Sequence, residues 1–235
     1  MAKMEADMET RSDADAAIAR HAVVLCHPER ASFNHAIAEA YCTAVKGLGH
    51  DVVLRDLYAM QFDPVLKAEE RPTVSGFRRS PDVDAELAQL RNCDVFVLVY
   101  PIWFGTPPAM MKGYVERVLG SGIDPRSVQQ RSPTSFLAGK RLVSFTTSAM
   151  SAPWLNEQGE WMSLRYLFDR YLTNAFAMLP DQHVHFGGIV PGMSQRWADQ
   201  YLYDVTQQAR HVCATVAAER HQAAVLATKH LRRSA

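Results

Sequence analysis

From Ala22 onward, the apolar residues follow two alternating patterns. Short unbroken runs suit strands buried on both faces, and apolar residues three and four positions apart suit helices with one buried face. Their alternation predicts a parallel sheet with helices on both sides. The stretch AVVLC (22–26) reads as the first strand, and Ile37, Tyr41, Val45 and Leu48 recur at helical spacing until Gly47 and Gly49 end that helix. DVVLRDL (51–57) is the second strand, and residues 59–81, with three prolines and clustered charges, form a long surface connection. A helix over DVDAELAQLRNC leads into DVFVLVYP (94–101), whose branched and aromatic residues run without interruption as a third strand. PPAMMKGYVERVL begins a helix on proline, KRLVSFTTS (140–148) is the fourth strand, and Trp161 to Met178 is a helix. HVHFGGIV (183–190) is the fifth strand, and a long terminal helix, whole or broken, runs from Gln195 to about Lys229. The expected architecture is one doubly wound α/β domain over residues 21–235 with strand order 2-1-3-4-5, preceded by a mobile polar tail over residues 1–20.

Charge and cysteine content narrow the function classes. Lys plus Arg total 25 and Asp plus Glu 25, so net charge gives no reason to expect nucleic acid or an anionic membrane as partner. The four cysteines, Cys26, Cys42, Cys93 and Cys213, lie far apart with no zinc-ligand spacing, which fits a reducing cytoplasm better than a disulfide framework. The apolar runs are too short for a membrane span, and residues 1–20 lack the apolar segment of a secretion signal.

In a sheet of this order, ligands bind beyond the carboxyl ends of the strands where the order reverses. Three segments fall there: HPERASFN, PIWFGTPP and TTSAM. The first delivers a helix N-terminus, whose free amides and positive dipole end suit a phosphate; Arg30, Ser32 and Asn34 add charge and hydrogen-bonding groups, although Ser32 or Asn34 equally suits a plain helix cap. Neither a GxGxxG nor a GxxxxGK[ST] follows the strand, and there is no GxSxG elbow. In the second segment, Trp103 and Phe104 follow Pro101 at a strand mouth, where they suit a planar ligand, a hydrophobic plug or a dimer contact. Thr146, Thr147 and Ser148 offer hydroxyls and amides from the third.

Together, HPERASFNHAI and YPIWFGTPPAMMKGYVERVL resemble the flavodoxin-like NAD(P)H:quinone oxidoreductase family, the group of DT-diaphorase and the bacterial modulators of drug activity. That resemblance implies a flavodoxin-like flavoprotein, usually a homodimer, that passes hydride from NADH or NADPH through its flavin to a quinone or similar small acceptor. It places His27, Arg30, Ser32, Phe33 and Asn34 around the flavin phosphate. Pro101, Ile102, Trp103, Phe104 and Gly105 would line the ring, joined by Thr146, Thr147, Ser148 and Ala149. The diaphorase-like loop has a glycine pair, a tyrosine and a histidine after its threonines; here it reads TTSAMSAPWLNEQGEWM, with Trp154 near the tyrosine position and no histidine. The form PIWFG resembles the bacterial FMN-type branch, so FMN is expected in preference to FAD. Relatives of this fold also include regulatory subunits and one-electron carriers, which form the competing readings.

Other polar residues fit structural roles. His183 and His185 alternate on one strand face without an evident third metal ligand, and Cys26 is expected to be buried by its strand. The basic final segment, with His211, His221 and His230, reads as solvated helix surface.

Overall fold

The computed structural model describes residues 18–73, 75–129 and 135–234. Most of the expected polar tail, residues 1–17, lies outside the described residues. Five parallel strands, β1 (Arg20–Leu25), β2 (Asp51–Asp56), β3 (Val95–Pro101), β4 (Arg141–Thr147) and β5 (Leu179–Phe186), pair in the order 2-1-3-4-5. Central strands β3 and β4 are buried along their whole length, the reason they carry unbroken apolar runs, whereas the edge strand β2 alternates partial burial with exposure.

Helix α1 (Phe33–Gly47) buries Ile37, Tyr41 and Val45 against one sheet face, beside the long α8 (Gln195–Ser234), which is continuous. The opposite face carries α2 (Pro81–Leu90), α3 (Ala109–Tyr114), the short α4 (Pro125–Gln129), α5 (Ala152–Glu157), α6 (Glu160–Leu164) and α7 (Tyr171–Ala175). Phe96, Leu98 and Tyr100 pack there against Met111, Tyr114, Val118, Leu164 and Phe168. Two wide-turn π segments interrupt this layer, Val115–Leu119 after α3 and Arg165–Arg170 between α6 and α7. The second buries both Phe168 and Asp169.

Residues 57–80 are held to this layer despite their loop character. Gly113 lets the backbone of Pro64 lie directly on α3: a Cβ at that position would meet the Pro64 carbonyl oxygen at 2.3 Å. The fifth strand is displaced from its expected bounds. It starts at Leu179 and ends at Phe186, because Gly188 turns the chain away with φ +71.

Candidate active site

Three connections meet at the carboxyl edge of β1, β3 and β4, and hydrogen bonds accepted by Thr147 join them. The buried Asn34, in the first turn of α1, donates from Nδ2 to Thr147 Oγ1 at 2.9 Å. The Thr147 carbonyl accepts from the Ile102 N–H at 2.7 Å. One residue at the end of β4 thereby sets both the helix turn and the aromatic loop. Asn34 Oδ1 is buried without a hydrogen-bond partner, a polar atom aimed into the protein with its capacity unspent.

Ser32 caps α1, its hydroxyl accepting from the His35 N–H at 3.4 Å. The same oxygen lies 3.0 Å from His35 Nδ1, and His35 Nε2 lies 3.3 Å from Asp56 Oδ2 at the end of β2. Ser32 is thus a cap and also a member of a polar cluster at a helix N-terminus, where the first amides have no partner inside the helix. His27 accepts the Glu29 N–H on Nδ1 at 3.1 Å, its ring centroid lies 5.7 Å from that of Trp103, and burial draws its proton affinity below the ordinary imidazole value. Arg30 stands exposed beside this turn. Phe33 points elsewhere, packing at 6.3 Å from Phe186 and 6.2 Å from Tyr201.

The aromatic loop folds into a tight turn. The Trp103 N–H donates to the Thr106 carbonyl at 3.0 Å, and Thr106 N–H returns a bond to Trp103 at 3.1 Å. The central residues Phe104 and Gly105 have φ +51 and +77, the positive pair of a type I′ turn. Glycine adopts that conformation freely, whereas a bulky phenylalanine pays about 1–2 kcal/mol for it. Phe104 is nevertheless fully exposed, at 106%, and Trp103 is 40% exposed. Phe104→Asn creates the Asn-Gly pair that this turn favours, so the ligand-free variant is expected to melt roughly 2–4 °C above the parent. A lower thermal midpoint would count against strain at this position.

Thr146 and Thr147 point to opposite sheet faces, as successive strand residues must. The Thr146 hydroxyl bonds His183 Nε2 at 2.7 Å and His185 Nδ1 at 2.9 Å, away from Asn34. Ser148 is buried, and Ala149 is exposed. Trp154 sits on α5 with 38% of its surface open, and it is Trp161 that lines a small strand-end cavity with Ile102, Gly105, Leu155 and Leu164. The sequence reading passed over Trp161 because its place depends on the path from α5 to α6. Among the described residues, a roomier cavity of about 380 Å³ lies instead along the second π segment, lined by Met162, Arg165, Tyr166, Arg170, Thr173, Asn174 and Met178; no strand-end segment reaches it. Cys26 is fully buried and its thiol is pushed up to about 12, chiefly by burial, which removes it as a nucleophile.

The chain belongs to the flavodoxin-like fold family, whose model matches residues 19–210. Within that class, its relatives include a rat NAD(P)H dehydrogenase [quinone] 1, 36% identical over 149 residues that cover 56% of this chain and 54% of the relative. The chain therefore spans about half the length of that relative. A Haemophilus influenzae protein named an uncharacterized NAD(P)H oxidoreductase is 29% identical over 208 residues, covering 88% of this chain and 96% of the relative. Among solved structures, the NAD(P)H:quinone oxidoreductase from Methanothermobacter marburgensis superposes with a TM-score of 0.71 at 24% identity, over 83% of this chain and 99% of its own. Among the described residues, no helix is long and apolar enough to cross a membrane.

Proposed function

We propose that this chain is an NAD(P)H-dependent flavin oxidoreductase whose acceptor is a quinone or a similar small molecule. FMN is its cofactor, with FAD the alternative, and the working form is one domain over residues 21–235 acting as a cytoplasmic homodimer. The observation that carries the reading is the double tie at Thr147, which brings a helix N-terminus and an exposed aromatic loop to one strand end. The residues fit such a ligand: the first amides of α1 have no partner inside the helix, and Phe104 is held outward in a costly conformation that packing within the chain does not explain.

When bound, flavin supplies the two-electron chemistry, taking hydride from the nicotinamide and yielding it to the acceptor. The chain binds and orients. First-turn amides of α1, with Ser32, His27 and Arg30, hold the phosphate. Pro101, Ile102, Trp103, Phe104 and Gly105 would frame the ring, and the segment from Thr147 to Ala149 would lie beside its polar edge. Donor and acceptor use one open ring face in turn, so initial-rate lines at several acceptor concentrations should run parallel; intersecting lines would argue against a shared face.

The test of this reading is purification without added flavin, followed by an absorbance spectrum. A flavin band that bleaches with NADH or NADPH under anaerobic conditions, and returns on adding a quinone, is the expected result. A colourless protein that FMN and FAD both fail to reconstitute would overturn it.

A further inference from the structure

A chain of side-chain hydrogen bonds crosses the β4–β5 face opposite α1. Ser144 Oγ donates to Asp169 Oδ1 at 2.9 Å, and Asp169 Oδ2 meets His183 Nδ1. His183 Nε2 lies 2.7 Å from Thr146 Oγ1, which lies 2.9 Å from His185 Nδ1. His185 Nε2 lies 3.0 Å from Ser148 Oγ, and Ser148 donates to the Met150 carbonyl at 3.0 Å. Ser144, Thr146, Asp169 and the His183 side chain are all 0% exposed.

Counting protons gives this chain a direction. A hydroxyl has one proton to donate, and so has a neutral imidazole. If Ser148 donates to Met150, His185 must donate from Nε2, and its Nδ1 then accepts from Thr146. With its only proton committed, Thr146 must accept from His183 Nε2, while His183 Nδ1 donates to Asp169. Taking Asp169 as ionised and His185 as neutral, all six bonds form together only with His183 protonated on both nitrogens. Removing one proton leaves His183 neutral, reverses every bond from Thr146 to Ser148, and costs Ser148 its bond to Met150. The two states differ by one proton that is stored at His183 and leaves at Ser148.

The outer end of the chain adjoins the candidate site. Ser148 follows Thr147, the residue tied to Asn34 and Ile102. Trp161 covers both imidazoles, at 4.5 and 5.2 Å between ring centroids, and also lines the cavity shared with Ile102 and Gly105. Burial and then His183 draw the proton affinity of His185 down to about 4, which keeps it neutral at pH 7. From β3, the buried Tyr100 faces this network; burial and then Asp169 raise its phenol well above the ordinary value, so it stays neutral as well.

We propose that Asp169, His183, Thr146, His185 and Ser148 form a one-proton wire that feeds the acceptor half of the reaction. Its part in turnover rests on the oxidoreductase reading above; the wire itself does not. A quinone that accepts hydride gains two electrons and one proton, and needs a second proton to become the neutral hydroquinone. The wire supplies that proton at Ser148, forming the O–H bond, and His183 is left neutral. Solvent returns one proton between turnovers. Asp169 and His183 act through Ser148 and are positioning residues in this scheme.

Long-range ¹⁵N NMR of the flavin-free chain, labelled at histidine and held near pH 7, reads the wire directly. His183 should carry protons on both ring nitrogens and His185 on Nε2 alone. A neutral His183, or a proton on His185 Nδ1, would overturn the proposal. In the flavin-loaded protein, Thr146→Val breaks the wire while preserving side-chain shape, and Thr146→Ser keeps the hydroxyl. The ratio of quinone to ferricyanide reduction rates should fall about 100-fold in Thr146→Val and recover in Thr146→Ser, because ferricyanide takes electrons without a proton. An equal fall with both acceptors, or no fall, overturns the wire. A chain that never takes up flavin ends the oxidoreductase reading, while the histidine spectra still decide this one.

Discussion

Arg117→Met is expected to lose about 3–5 kcal/mol of folding free energy at pH 7, the usual consequence of removing one partner from a buried ion pair. The Arg117 side chain is 1% exposed, and it meets Glu70 through two bonds of 2.9 and 2.7 Å and Asp82 through two of 2.9 and 3.1 Å. Its guanidinium also donates to the Asp63 carbonyl and lies 5.4 Å from the Phe62 ring centroid. Methionine fills much of the volume but leaves the buried Glu70 carboxylate without its cation, held by the Lys67 N–H. The same tie sets an acid limit. Arg117 holds the Glu70 carboxyl at about 2, below its ordinary 4.5, so this contribution is fully present above pH 4.5 and is lost as pH falls through 2. That shift corresponds to roughly 3 kcal/mol. In Arg117→Met the Glu70 carboxyl rises from that low value, because burial opposes its charge and the guanidinium no longer offsets it, so acid costs the variant less stability than it costs the parent. Urea denaturation of parent and variant at pH 7 and pH 3 checks both statements. A variant within 1 kcal/mol of the parent at pH 7 would refute the assignment.

This ion cluster also bears on the site. Arg117 lies in the π segment that continues α3, and α3 begins just after the Trp103–Thr106 turn. Glu70 and Asp82 belong to the long connection and to the start of α2, so one buried guanidinium joins both of them to the π segment that continues α3. The long 59–81 connection is thereby anchored at Glu70 and, through the close approach to Gly113, at Pro64.

Strand order was legible in the sequence because β1, β3 and β4 are buried on both faces and therefore read as continuous apolar runs. The fifth strand is an edge: Gln182 shares one face with Val184 and Phe186, which pack into the core, and His183 and His185 occupy the other. Gln182, His183 and His185 broke the apolar signal, and the following glycine pair and Ile189–Val190 drew the expected bounds too far along the chain. The alternation of His183 and His185 was visible, but their meaning was not. Asp169 lies fourteen positions from His183 on another element, and a π turn directs it inward. Of the site, Ser32, Asn34 and Trp103 could be placed by their position after strands. The tie of Asn34 to Thr147 could not, since the two are 113 residues apart and only the sheet order brings them together.

Asn34→Leu should separate stability from ligand binding more sharply than any other single change here. The substitution removes the bond to Thr147 and leaves that hydroxyl unpaired, a loss of about 1 kcal/mol. It also removes Oδ1, a buried acceptor with no partner in the chain, and the relief of that burial is of similar size. The two effects nearly cancel, so the thermal midpoint should stay within roughly 4 °C of the parent. Binding has no such compensation. Without the Asn34 bond, the first turn of α1 and the aromatic loop no longer share an anchor. FMN affinity should fall about 100-fold, equivalent to roughly 2.7 kcal/mol. Titration of FMN fluorescence against parent and variant measures this loss, and calorimetric melting of both ligand-free proteins supplies the control. Unchanged FMN affinity in a folded Asn34→Leu protein would remove the strand-end pocket from consideration. A matching drop in both midpoint and affinity would instead make Asn34 a structural cross-link, with no direct part in holding the cofactor.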